Sequence, residues 1–174
     1  MSRLRRIETL ERIFFTTTNL AAGNRSFSED ERDLLLRFLA GLRDKSQFLL
    51  FGYVVMPNHA HLLLLPQKDA LPQIMHQWKF KTGNAINRAR RTTGAVWQPR
   101  YFDFICRRTR DFSNKLEYIH NNPVQAGLVA RPEAWKWSSS AYYAGTGVVP
   151  IRINKLDFSG DPDELLWPAP WRRG

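Results

Sequence analysis

The chain has 174 residues, a mass of 20.3 kDa and a formal net charge of +10. That length fits one domain, expected over residues 1–147 with an irregular C-terminal tail over 148–174, and a core of this size needs no disulfide or structural metal. The lone Cys106 excludes an internal disulfide and a cysteine-rich zinc site, and the longest apolar run, Phe48–Met56, is about half of a membrane span, so no membrane partner is expected.

Residues 1–15 hold Arg3, Arg5, Arg6 and Arg12 without a continuous apolar segment, and Glu8 and Glu11 argue against a transit peptide. The expectation is a cytoplasmic, reducing compartment. The charge is focused: between His76 and Arg110 nine basic residues face one acid, Asp103. A basic excess concentrated in this way favours a polyanionic partner, nucleic acid above all.

In chain order, Arg12–Asn19 is rich in β-branched and aromatic residues and reads as a strand. Ser28 followed by Glu31 has capping-box spacing, and Leu34, Leu35, Phe38, Leu39 and Leu42 then recur at helical spacing to about Asp44. Phe48–Met56 and His59–Leu65 are strand-length apolar runs joined by the turn signal Pro57-Asn58, which makes them an antiparallel hairpin.

A second helix is expected over Pro72–Arg91, with Ile74, Trp78, Ala85 and Ala89 inward and Gln77, Lys81, Asn84, Arg88 and Arg91 on a polar face. Val96–Arg107 resumes strand character. A third helix over about Asp111–Asn121 turns Phe112, Leu116 and Ile119 inward, and Pro123 is expected to stop it. Beyond Gly127 the chain is less regular, and Ile151–Gly174 reads as extended or irregular with an acidic patch at Asp157, Asp161, Asp163 and Glu164. The order βαββαβ is that of an α+β ferredoxin-like sandwich, an antiparallel sheet with helices on one face, plus the irregular C-terminal tail. RNA-recognition modules share this order, so it does not choose a function.

Two groups of residues carry chemistry. His59 and His61 alternate with Ala60 in a strand, so both imidazoles point to one side, either as two ligands of a divalent ion or as hydrogen-bonded strand histidines. Tyr118 and Asn122 are spaced to share a helix face, although Asn122 precedes Pro123 and equally suits a C-cap. Tyr118 stands off the inward stripe, which leaves its hydroxyl either reactive or simply wet.

Val55–Leu64 (VMPNHAHLLL), Trp97-Gln98 before an aromatic strand, and Tyr118–Val129 (YIHNNPVQAGLV) together resemble the single-tyrosine transposases, and more closely the REP-associated tyrosine transposases of bacteria, over residues 10–145. The resemblance implies a His-hydrophobic-His endonuclease on a ferredoxin-like sheet. His59 and His61 would be metal ligands, Asn122 would take the third ligand position, and Tyr118 would be the nucleophile. Related insertion-sequence transposases place Gln where this chain has Asn122; both offer a carbonyl oxygen, and the cofactor implied is Mg²⁺ or Mn²⁺. Phenols ionise near pH 10, so such a nucleophile needs activation. His120 is close to Tyr118 in sequence, but neighbouring helix residues do not share a face, and no general base is identified from sequence.

The resemblance implies cleavage of single-stranded DNA next to palindromic-repeat hairpins through a 5′-phosphotyrosine, in a bacterial, nucleoid-associated setting. Lys79, Lys81, Arg88, Arg91, Arg100, Arg107, Arg108 and Arg110 are the expected phosphate contacts, against the alternative of a solvated basic face. Trp97, Tyr101 and Phe102 either stack bases or belong to the core. The acidic tail either lies over the DNA groove or only packs Trp167 and Trp171. The rival functional class is a non-catalytic ferredoxin-like nucleic-acid-binding module; a replication-initiator or relaxase nuclease shares the chemistry but uses longer chains. The resemblance admits a monomer acting in cis or a homodimer exchanging tyrosine helices, and self-repulsion at +10 favours the monomer.

Overall fold

The structure is a computed structural model that describes residues 11–46 and 48–166. Arg3, Arg5, Arg6, Trp167 and Trp171 lie outside the described residues. Four strands, β1 (Ile13–Asn19), β2 (Leu49–Val55), β3 (His59–Leu65) and β4 (Phe102–Cys106), form one sheet in the order β2-β3-β1-β4. Every neighbouring pair is antiparallel. Helices α1 (Glu29–Ser46) and α2 (Leu71–Arg90) make the two crossovers, which gives the expected ferredoxin-like βαββαβ unit. Helix α3 (Thr109–Gln125) follows it, then a short 3₁₀ turn at Pro132–Ala134 and α4 (Ser140–Tyr143). No described helix is long and apolar enough to cross a membrane.

Strand alternation divides the core into two layers. Phe14, Thr16, Thr18, Ala60, Leu62 and Leu64 share one face by register and are all buried. Helices α1 and α2 of the βαββαβ unit cover that layer and lock to each other where Trp78 Nε1 donates to the Leu35 carbonyl at 3.2 Å. Phe15, Thr17, His61 and Leu63 share the other face, and α3 lies there.

Helix α1 begins as its sequence indicates. Glu31 N–H donates to Ser28 Oγ at 3.3 Å, and Ser28 N–H donates to Glu31 Oε2 at 2.8 Å, completing the capping box. The same carboxylate accepts from Arg90 Nε at 2.7 Å and from Arg25 at 2.9 Å, which ties the start of α1 to the end of α2. Burial alone would raise the Glu31 carboxyl. Hydrogen bonds from Arg90 and Ser28, with the charges of Arg90 and Arg25, outweigh it and bring the group down to about 2.

Four sequence expectations change. The inward stripe of α2 runs through Leu71, Ile74, Met75, Trp78, Thr82 and Ile86, whereas Ala85 is half-buried and Ala89 exposed; the bulk of Trp78 sets the helix rotation. The strand expected from Val96 begins only at Phe102, since Pro99 has no N–H for a ladder and Lys79 Nζ draws the carbonyls of Gln98 (2.6 Å) and Pro99 (2.9 Å) away from it. Helix α3 starts earlier, at Thr109, because the Asp111 carboxylate accepts the N–H groups of Arg107 and Arg108 at 2.9 and 3.0 Å. It also runs through Pro123. That close to the C-terminus the ring forfeits a single bond, to the Ile119 carbonyl, and Ala126 N–H still reaches the Asn122 carbonyl at 3.0 Å.

The tail has no helix or strand among its described residues, yet Ile151, Ile153 and Leu166 are buried in the core cluster. The outer edge of β2 is covered by the segment before the tail and by the tail itself: Val55 N–H donates to Trp137 O, Ser139 N–H to Tyr53 O, and Asn154 N–H of the tail to Leu50 O, at 2.8–3.0 Å.

Replacing Glu31 with Gln strips the carboxylate charge from the buried guanidinium of Arg90. Urea denaturation is expected to show a loss of about 3 kcal/mol.

Candidate active site

The site is assembled where the paired ends of β1 and β3 meet the last turns of α3. Thr17 lies opposite His61 and Asn19 opposite His59, so both imidazoles stand on the α3 face of the sheet. Helix α3 comes close because β2 has Gly52 beneath it: a Cβ there would lie 2.6 Å from Leu116 Cδ1. With Leu116 and Ile119 seated over Gly52, the next positions of the helix project toward the histidines.

Tyr118 and Asn122 occupy those positions, and the helix is intact at both. The Tyr118 ring meets the His61 ring edge-on with centroids 5.2 Å apart and packs against Phe15 at 5.9 Å. Phe15 itself stacks on His61 at 5.2 Å. Although it is held on two sides, Tyr118 is 42% exposed. Asn122 is a buried helical residue and not the cap, which is Ala126, and its Oδ1 lies 3.2 Å from His59 Nε2. His59, His61, Tyr118 and Asn122 are thus brought together within one chain.

The outer nitrogens of the imidazoles are held by neighbours that the sequence alone did not flag. His61 Nδ1 pairs with Thr17 Oγ1 at 2.9 Å, and His59 Nδ1 pairs with Asn58 Oδ1 at 2.7 Å. Such secondary contacts fix ring orientation and leave the opposite nitrogen free to act. Phe15 and Thr17 were reachable in principle: period-two alternation in IFFTTTN places them on one face, and only the partner strand was missing.

Burial lowers the pKa of both histidines, His61 to about 3 with a further push from the His59 charge, and His59 partly restored by its bond to Asn122. Both imidazoles are therefore neutral at physiological pH and carry an available lone pair.

The donor set fits a cation. His61 Nε2 is buried with no hydrogen-bond partner. A neutral His59 has one N–H for two facing amide oxygens, so one of those contacts sets a lone pair against a lone pair, which a cation would resolve. The 3.2 Å between His59 Nε2 and Asn122 Oδ1 is close to the edge of an octahedral site with bonds of about 2.1 Å. Among the described residues no group of three or more His, Cys, Asp or Glu side chains is arranged to hold a metal ion, so a cation here would need the Asn122 amide oxygen beside the two imidazoles.

The other candidates are spread out. Lys81 is half-buried and Arg88 and Arg91 are exposed along α2, and Arg100 is exposed near the start of β4. Lys79 is held by loop carbonyls, and burial lowers its pKa. Arg107, Arg108 and Arg110 lie past the Ile13 end of the sheet, away from His59. Asp163 of the tail bridges two of them, at 3.1 Å to Arg108 and 2.7 Å to Arg110. Trp97 is core, packed on Trp78 and Phe27, whereas Tyr101 is half-buried and Phe102 exposed. His120 points elsewhere, with its Nε2 2.9 Å from Ser139 Oγ and its ring against Tyr143.

Comparison with known proteins places the chain among the DNA transposases. The signature described as "Transposase IS200 like" matches residues 22–122, and the chain belongs to that family. It is 26% identical over 162 residues to the REP-associated tyrosine transposase of Escherichia coli K12, covering 92% of this chain and 93% of the relative. A solved structure of a REP-associated tyrosine transposase bound to a REP hairpin superposes with a TM-score of 0.68 at 24% identity, over 94% of this chain and 98% of the other. That likeness carries the fold.

Burial brings the His120 imidazole down to about 4 from an ordinary 6.5. The unfolded chain then binds the proton first, so the stability this residue contributes is present above pH 6.5 and is lost as the pH falls toward 4. Melting temperatures measured between pH 7 and pH 4 are expected to fall less steeply in His120→Gln than in the parent.

Proposed function

We propose that the chain is a metal-dependent endonuclease and strand transferase that cuts single-stranded DNA beside palindromic-repeat hairpins through a 5′-phosphotyrosine. The observation that carries this reading is the packing of Tyr118 on His61, with Asn122 Oδ1 3.2 Å from His59 Nε2. The REP hairpin bound by the structural relative and the name of the E. coli relative support the substrate. Its setting would be the bacterial cytoplasm, at the DNA.

His59, His61 and Asn122 would hold Mg²⁺ or Mn²⁺, and two imidazoles beside one amide oxygen lean toward Mn²⁺. The ion would supply Lewis-acid polarisation of the scissile phosphate. Phe15 and His61 confine the Tyr118 ring and limit the lines along which its oxygen can approach phosphorus. The Tyr118 oxygen attacks phosphorus and gives up its proton. The P–O3′ bond breaks, and its electron pair leaves on O3′, which takes up a proton. The products are a tyrosyl 5′-phosphodiester and a free 3′-hydroxyl. Because the phosphodiester linkage is conserved, a 3′-hydroxyl can run the step backwards and join strands without ATP.

All four side chains come from one protomer, which suits a monomer acting in cis. Exposed Arg88, Arg91, Arg100 and Arg107 remain available for phosphates, together with half-buried Lys81.

Protein incubated with Mn²⁺ and a hairpin oligonucleotide carrying a single-stranded flank is expected to give a covalent protein–DNA band on a denaturing gel. The band should vanish with Tyr118→Phe and with EDTA, and His59→Ala/His61→Ala should bind the hairpin without cutting it. A band that survives Tyr118→Phe would refute the assignment.

A further inference from the structure

Two large apolar side chains stand uncovered beside the site. Phe102 is 57% and Phe104 37% exposed, both on β4. Their register decides which way they face: Phe104 lies opposite Phe15 and Phe102 opposite Thr17, and Thr17 in turn lies opposite His61. All five side chains therefore share one face of the sheet. With neighbouring strands about 4.8 Å apart, the two phenylalanines begin one strand from Phe15 and two strands from His61. Helix α3 leaves them open because it seats on Gly52 of β2 and on Phe15, inward of β4.

We propose that Phe102 and Phe104 form a stacking platform for unpaired bases of the DNA strand adjoining the phosphate at Tyr118. This rests on the single-stranded DNA reading above and adds where the strand runs. The surroundings of the pair select nucleotides over other occupants. Lys115 Nζ lies 4.8 Å above the Phe104 ring and 4.7 Å above Phe15, which puts a cation at the inner edge of the platform. Arg100 is exposed just before β4 and Arg107 just after it, so each end of the strand offers a charge for a phosphate. Aromatic faces interleaved with cations are what a single strand requires, since every base has a π-face and every linkage a negative charge. Stacking of this kind tolerates any base, so the platform would position the strand and not read it. Of the three aromatics expected to stack or to be core, only Phe102 is free; Phe104 joins it because alternation returns the chain to the same face two residues later.

The binding measurements use Tyr118→Phe protein, so that binding is read without chemistry. Phe102→Leu and Phe104→Leu are each expected to weaken binding of a hairpin with a single-stranded flank by about 5- to 150-fold, while a blunt hairpin binds within about twofold of the parent. Phe102→Trp should restore the flanked affinity, and 2-aminopurine in the flank should be quenched by the parent but not by Phe102→Leu. Both side chains are solvent-exposed, and unchanged melting temperatures confirm folding. Equal affinity for flanked and blunt hairpins in the leucine variants and the parent would overturn the proposal. So would a dimer in sedimentation that the variants abolish, because the face would then belong to a second copy of the chain. Absence of a covalent adduct from the Tyr118 protein with intact flank binding would instead count against the nuclease chemistry and leave the platform standing.

Discussion

The seating of α3 over Gly52 is the contact on which the site depends. A side chain at that position would occupy the space taken by Leu116. With Gly52, the helix lies close enough for Tyr118 to rest on Phe15 and His61 and for Asn122 to meet His59. Tyr118 and the histidine pair belong to different elements, far apart in sequence, and their relation is set by one helix-to-sheet distance. Packed interiors yield little to local displacement. A shift of the helix axis would therefore move Tyr118 and Asn122 together and not one alone.

Much of this was legible in the residues because the relevant periods are short. Alternation in HAHLLLL fixes that His59 and His61 face one way, and the Ser28/Glu31 spacing marks the start of α1, where both hydrogen bonds are present. What could not be read depends on partners distant in sequence. The rotation of α2 follows Trp78 meeting Leu35, so Ala85 and Ala89 fall outside the stripe assigned by counting alone. Pro123 is a stop signal by local rules, yet near a C-terminus its cost is small and the packing of Asn122 outweighs it. Thr17 and Phe15 came into view only with the register of β1 on β3, and Phe104 only with that of β4 on β1.

Charge shows the same limit from another side. A sum of +10 announces a polyanionic partner but not which cations are free to meet it. Lys79 is engaged in holding three loop carbonyls, and Arg90 in the Glu31 pair between two helices. Arg108 and Arg110 face Asp163. Part of the basic segment is internal architecture, and the electrostatic footprint on the surface is smaller than composition suggests.

The covering of β2 has a consequence for assembly. Residues 137–139 and Asn154 already satisfy the outer backbone of that strand, so the sheet is closed on one side by its own chain. Among the described residues, growth by strand addition is left to the outer edge of β4, on the side of the sheet nearer Phe15 and Tyr118. Any association of copies through continuous sheet at that edge would bring the Tyr118 clusters of two chains toward a common seam, and quaternary structure and access to Tyr118 would become competitors for one margin of the molecule.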